Sequence, residues 1–279
     1  MVNYDLHVHS TYSDGVLSVK EIIDICKEKS LLGVAITDHD TVTAFSDKSF
    51  LDEDDIYIIP GIELSTSYNK QEIHILGYNI DYNNKFLLRT LNKIKEFRLN
   101  RVETIISKLN IMGYNIILDD VLEYVAENAS IGRPHVARCL VNKGYFKDTY
   151  DVFERLLANG KPACVDRFKL HPKEGIDLIK NAGGIPVLAH PYVSKSKQTQ
   201  SNFSIFINDM VGYGIEGIEV YHSLHSKIQE GLLLNYAIKN NLLVTGGSDC
   251  HDKYDKNGEY IIGTKGVDSY VFSKFNLVR

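Results

Sequence analysis

The sequence predicts an α/β fold in which helices cover a parallel sheet, as a barrel or an open doubly wound sheet, and a helical segment interrupts it. Two observations predict this. Units of an amphipathic helix followed directly by a short apolar strand recur along both ends of the chain, and such units bury their strands in parallel sheets. The middle, from about Phe86 to Gly160, shows helical periodicity alone. At 279 residues the chain can fill one large α/β domain with an insert.

The elements follow in order. Asp5-Leu6-His7-Val8-His9 alternates polar and apolar residues, and the strand period of two puts Asp5, His7 and His9 on one face. From Ser18 to Gly33 apolar residues recur at helical spacing, Ser18 and Glu21 form a capping box, and Gly33 closes the helix before the strand Val34 to Thr37. The unit returns where Pro172 opens a helix, Gly183 and Gly184 end it, and Ile185 to Ala189 leads to His190. It returns again at Lys227 to Asn241, with Leu242 to Thr245 as its strand. No GxGxxG or GKS/GKT element supports the open-sheet version. These boundaries divide the chain into a first barrel part, 1–97, a helical insert, 98–165, and a second barrel part, 166–279.

Composition narrows the function classes. Hydrophobic residues at 44% and charged residues at 24% are ordinary globular values, and no run of eighteen apolar residues or basic-then-apolar start supports membrane spanning or export, so cytoplasm is the expected location. A net charge of -5 argues against a groove that grips DNA by bulk positive potential. The insert carries a local net of +1 and is the part more welcoming to anions. Cys26, Cys139, Cys164 and Cys250 are too few and scattered for a disulfide framework or a cysteine-zinc site, and read as reduced and mostly buried.

The chemistry lies where apolar runs end. Ala35 to His39, Ile58 to Glu63, Glu72 to His74, Val187 to His190, Ile218 to His222 and Val244 to Asp249-Cys250-His251 all close on metal-capable side chains, and in a barrel of parallel strands such ends converge on one rim. A single histidine is usually a satisfied core or surface residue; the repetition argues otherwise. Imidazole plus carboxylate suits zinc, manganese or iron, and so many ligands imply more than one ion. Two or three ions side by side would clamp a phosphoryl oxygen and lower the pKa of a water, which is the machinery of a phosphoester hydrolase.

The ordered motifs DLHVHSTYSDG, AITDHDT, PGIEL, HILGY, LAHP, IEVYHS and GSDCHD resemble those of the polymerase and histidinol phosphatase (PHP) family, and the likeness spans both ends of the chain. The HSxxSDG form, a helical insert and GRPH are similar to the branch of nucleoside 3',5'-bisphosphate phosphatases and 5'-to-3' exoribonucleases acting on short RNA. The resemblance implies a distorted TIM-like (β/α) barrel and a trinuclear metal site. One ion would take His7, His9 and Asp249, with Glu63 bridging to a second that also takes His74 and His190, and a third would take Asp14, His39 and His251. Glu63 and Asp249 would be the catalytic carboxylates, and the ions Mn2+, Zn2+ or Fe2+. Histidinol phosphatases of this fold commonly carry His where this chain has Asp14, which turns the reading away from histidinol phosphate.

Asp5, Asp38 and Asp40 lie beside ligands and are expected to support them, accepting hydrogen bonds from ligand imidazoles or capping the next helix, with plain capping an equal reading for Asp40. Arg133 and His135 of Ile131-Gly132-Arg133-Pro134-His135 offer a clamp for a second phosphate, although a helix start with Arg133 solvated explains the same residues. His222 resembles a substrate-facing histidine and equally a structural one; Arg98 and Arg101 reach anions or line a solvated helix face. Ser194 to Ser201 reads as a mobile loop, and His171 and His225 carry no assignment. The expected activity is hydrolysis of the 3'-phosphate of nucleoside 3',5'-bisphosphates. The alternatives are 5'-to-3' exonuclease action on short RNA, a histidinol-phosphatase-like phosphomonoesterase and a non-catalytic metal-binding accessory module. The expected partner is a small phosphorylated ligand, with no membrane.

Overall fold

The computed structural model describes residues 2–46, 55–127, 129–166, 168, 170–195, 200–252, 254 and 257–275. The chain starts with strand β1 (Tyr4–Val8), helix α1 (Val19–Glu28) and strand β2 (Gly33–Ile36), followed by the long strand β3 (Tyr57–Tyr68) and strand β4 (Gln71–Tyr78). Helices α2 (Lys85–Ile111), α3 (Leu118–Leu122), α4 (Arg133–Asn142) and α5 (Thr149–Val152) come next. The chain then returns through α6 (Pro172–Asn181), β5 (Ile185–Leu188), α7 (Pro191–Lys195), α8 (Gln200–Tyr213), β6 (Gly217–His222), α9 (Lys227–Lys239), β7 (Leu243–Gly247) and α10 (Ser269–Phe272). Residues 196–199 of the expected loop Ser194 to Ser201 lie outside the described residues, and its flanks belong to α7 and α8. Among the described residues no helix is long and apolar enough to cross a membrane.

The seven strands stand in chain order in one sheet. Backbone bonds at the end of β1 draw it nearly closed against the segment after β7: Asp249 N donates to His7 O at 2.8 Å and His9 N to Cys250 O at 3.1 Å. This is the distorted α/β barrel, but it is not wholly parallel. The first residues of β3 pair parallel with β2, whereas β4 runs antiparallel to both β3 and β5. The expectation that every ligand-bearing run ends a parallel strand therefore fails for two residues: Glu63 lies within β3 and His74 within β4. Glu63 pairs across the ladder with Leu76, and Ser65 with His74, so the period of two puts Glu63 and His74 on one face.

Local chemistry starts the helices as expected. Ser18 Oγ accepts from Glu21 N at 3.3 Å while Glu21 Oε2 accepts from Ser18 N at 2.7 Å, and α1 buries Val19, Ile22, Ile23 and Cys26. His171 caps α6, accepting from Lys173 N at 3.2 Å. Inside the barrel, one or two side chains from each strand, among them Leu6, Ala35, Ile59, Leu76, Tyr78, Val187 and Leu243, form a cluster that Phe272 and Phe275 cover from below. A larger apolar layer joins the outer sheet face to the helices and takes in Leu87, Leu91 and Ile94 of α2. The second half of α2 belongs to another core, where Val102, Ile105 and Leu109 meet Val136, Leu140, Leu157 and Ala163. The expected boundary at residue 98 falls inside this one helix. Cys26, Cys139 and Cys250 are buried and all four cysteines are free.

Candidate metal centre

The seam between β1 and the segment after β7 builds the site. β1 shifts register between Asp5 and Val8, which breaks strict alternation: Leu6 joins the barrel interior and the adjacent His7 pairs with Glu219 of β6. Close approach at the seam requires glycine, since a Cβ on Gly247 would stand 2.3 Å from His7 Cβ, and one on Gly15 would stand 2.3 Å from His9 O. His190, Asp249 and Asp40 hold left-handed backbone, with φ of 25°, 52° and 51°. Such residues cost about 1–3 kcal/mol each and persist where neighbours fix them. Here His190 N donates to Glu219 Oε2 at 2.8 Å, Asp249 N to His7 O at 2.8 Å and Asp40 N to Glu63 O at 3.0 Å.

All nine sequence-nominated ligand residues meet here. His7, His9, Glu63 and Asp249 form one group of converging donor atoms, His9, Asp14, His39 and His251 a second, and His39, Glu63 and His74 a third, each within 4.8 Å. Glu63 is the hub: Oε1 lies 2.8 Å from both His74 Nδ1 and His190 Nε2, while Oε2 faces His39 Nδ1 at 3.0 Å, His9 Nε2 at 3.2 Å and His7 Nε2 at 3.4 Å. Asp14 Oδ1 reaches His251 Nε2 at 3.2 Å.

Proximity here is not hydrogen bonding throughout. Asp14 Oδ1, His39 Nδ1, Glu63 Oε2 and His190 Nδ1 are buried without a hydrogen-bond partner among the described residues. Native interiors seldom leave such groups unsatisfied, and orphaned ligand atoms aimed at shared centres fit cations held between them. The nitrogen and oxygen donors, with no thiolate, suit zinc, manganese or iron. Burial disfavours every charge in the cluster, yet mutual attraction outweighs it for most. Glu63 is held well below the usual carboxylate range by His74, His39 and His7, and Asp14 by His251 and His39. Glu63 and Glu72 lift His74 to about 10, and Asp14 and Asp249 lift His251 to about 9. His39 is the exception, because its burial prevails and lowers its pKa.

The supporting residues differ from expectation. None of Asp5, Asp38 and Asp40 has a hydrogen bond to a ligand imidazole among those described. Asp5 accepts from Ser248 N at 2.9 Å and Gly263 N at 2.8 Å, because the register shift turns it away from the face of His7. Asp38 accepts from Ser10 N at 2.8 Å and Ser13 Oγ at 2.6 Å, and Asp40 from Ser65 N at 2.7 Å and Arg98 Nη2 at 2.6 Å. They fix the loops that carry the ligands. Glu219, which sequence reasoning passed over, holds His7 Nδ1 at 3.0 Å; Glu72 likewise holds His74 Nε2 at 2.8 Å. The available signal was an acid inside the apolar strand Ile218 to Tyr221.

Arg133 opens α4 and is largely buried rather than solvated, bonding Leu157 O at 3.0 Å and standing 3.7 Å from Glu72 Oε2. His135 is a correction: its Nδ1 accepts from Gly132 N at 3.1 Å and burial pushes its pKa down to about 4, so it caps its own helix and supplies no positive clamp. His222 is another. It is fully buried, its Nδ1 accepts from Leu224 N at 3.1 Å and its Nε2 pairs with Asp249 Oδ2 at 3.2 Å, and it converges with His7 and Glu219 in a further group of donor atoms, so it sits within the cluster. Arg98 ties α2 to Asp40, and Arg101 Nε donates to Val165 O at 2.8 Å, so neither lines a freely solvated face. Arg138, also missed, donates to Asp14 O. His225 pairs through Nδ1 with Val220 O at 3.0 Å.

Comparison with known proteins agrees with this architecture. A model of the PHP domain matches residues 5–159. A 3',5'-nucleoside bisphosphate phosphatase from Chromobacterium violaceum is 31% identical over 252 residues, 90% of this chain and 88% of that protein. The 5'-3' exoribonuclease Rnm of Escherichia coli is 32% identical over 258 residues, 90% of this chain and 85% of that protein. A solved structure from Bifidobacterium adolescentis, assigned as a metal-dependent phosphoesterase, is 28% identical and superposes with a TM-score of 0.87 over 97% of this chain and 94% of that one. The family match covers more than half the chain, relatives above 30% identity cover most of it, and the barrel gathers histidine and carboxylate donors at its seam: the chain belongs to the PHP family and is a metal-dependent phosphoesterase.

Proposed function

We propose that this enzyme removes the 3'-phosphate from nucleoside 3',5'-bisphosphates, leaving the nucleoside 5'-monophosphate. The observation that carries the reading is Arg133. It stands beside Glu72, which holds the nominated ligand His74, yet it belongs to the insert, which supplies none of the nominated ligands. A guanidinium so placed suits a phosphate that is bound but not cleaved, and a charge-assisted contact of this kind contributes about 1.5–3 kcal/mol. The exoribonuclease alternative has the Escherichia coli relative in its favour.

The residues that would hold two or three divalent ions are His7, His9 and Asp249 with Glu63, then Glu63 with His74 and His190, and Asp14 with His39 and His251. Bound there, such ions supply Lewis-acid charge at a phosphoryl oxygen and lower the pKa of a water. The chain's own residues do the rest. Glu63 holds the ring nitrogens of His74 and His190 in fixed relation through Oε1, Glu219 fixes the His7 ring through Nδ1, and His222 keeps its proton on Nε2 toward Asp249 because Nδ1 already accepts a backbone N–H. Arg133 positions the substrate from its uncleaved end, so that remote binding energy is spent on orientation.

A product-resolved comparison of kcat/KM tests this, using adenosine 3',5'-bisphosphate, a short 5'-phosphorylated RNA and histidinol phosphate. The bisphosphate is expected to lead, with AMP and phosphate as products. If the RNA leads by tenfold, about 1.4 kcal/mol of transition-state preference, the bisphosphatase reading falls and the metal-dependent phosphoesterase stands.

A further inference from the structure

A cavity of 440 Å³ lies between the barrel and the insert, next to the metal centre but containing none of its ligands. Its barrel wall is Tyr12, two residues before Asp14, and Asp40 to Thr43, which directly follow His39. Its second wall is the first half of α2, which packs on the barrel, including Leu88, Leu91, Asn92 and Lys95, and the insert adds Glu127 and Ser130 from the segment before α4. Ser130 N donates to Tyr12 O at 2.8 Å and so joins the two walls. Two features bear on what the cavity can hold. Val42 and Leu91, both largely buried apolar side chains, line it together with Tyr12. Ser130 is 4% exposed, and its hydroxyl has no hydrogen-bond partner among the described residues.

We infer that this cavity receives the nucleobase and ribose of the substrate, with Asn92 and Ser130 as base-specificity residues. The inference deepens the bisphosphatase reading and rests on it for the choice of ligand. The physical case is one of exclusion by chemistry. Glu127 offsets Lys95, so the cavity is not a trough for further phosphates, and a bare sugar would leave the surfaces of Val42, Leu91 and Tyr12 unused. A heterocycle has flat apolar faces for those three and a polar edge for a carboxamide, which offers one acceptor and two donors. The volume lies in the range of small-ligand sites. The position is also consistent: a phosphate among ligands on the Asp14 and His39 loops has its nucleoside substituent one or two residues away, at Tyr12 and Thr41.

Isothermal titration of the metal-loaded protein with AMP and with ribose 5-phosphate tests the assignment without relying on turnover. AMP is expected to bind at least tenfold tighter, and that ratio to fall to threefold or less in Asn92→Leu and in Ser130→Ala. Asn92 is exposed on α2, so its variant keeps the fold even if Ser130→Ala loosens the wall. A wild-type ratio below twofold, or a ratio unchanged in both variants, overturns the inference. Failure to hydrolyse adenosine 3',5'-bisphosphate would remove the bisphosphatase reading alone, because the AMP ratio reports the cavity directly.

Discussion

The barrel and the insert treat charge in opposite ways. At the barrel seam, histidines and carboxylates crowd together with several donor atoms left without hydrogen bonds among the described residues, and backbone strain at His190 and Asp249 is held by bonds within the same cluster. The insert contributes none of the nine nominated ligands. It has its own apolar core, and it meets the barrel through arginines: Arg98 on Asp40, Arg133 near Glu72 and Arg138 on Asp14 O. Strands and short strand-end loops suit donor atoms that must be held to fractions of an ångström, whereas helices with a separate core can alter what is gripped without disturbing them.

The largest expected effect lies in the barrel. Removing metal with a chelator should abolish turnover and added manganese or zinc should restore it; metal analysis of the purified protein should find at least two ions per chain, and full activity in metal-free protein would break the comparison at its root. Next is the joint between the regions. Arg98→Met removes the ion pair from the buried carboxylate of Asp40, an effect of about 3 kcal/mol in stability, read as a lower denaturation midpoint with faster proteolysis within residues 98–165. An unchanged midpoint would mean that the insert docks without this ion pair. Glu219→Gln keeps the shape but weakens the hold on His7, and metal affinity or activity should fall by about 10- to 100-fold. Arg133→Ala acts on the insert side. It should shift the kcat/KM ratio of adenosine bisphosphate to a small monophosphate ester by about tenfold, the loss of one charge-assisted contact, and equal losses on both would assign Arg133 to the fold. Smallest is Ser18→Ala, which removes the cap of α1 but none of the nominated ligands and should cost about 1 kcal/mol in chemical denaturation without altering metal content.

Much of this was present in the sequence. His39, His190, Asp249 and His251 could be nominated as ligands because each follows a short apolar strand, and a parallel strand delivers whatever follows it to one rim. Capping at Ser18 and the helix opened by Pro172 were legible for the same reason, since partners three residues apart meet whatever the rest of the chain does. Tertiary structure alone decided the rest. The reversal at β3 and β4 placed Glu63 and His74 on one face within strands rather than at their ends, and the register shift in β1 turned Asp5 away from His7. Spacing could not reveal that Glu219 would hold His7, 212 residues away, or that Arg98 would pair with Asp40 rather than face solvent. Local order follows from side chains that the backbone itself brings together, whereas a contact between distant segments exists only once the barrel has closed and excluded water from both partners.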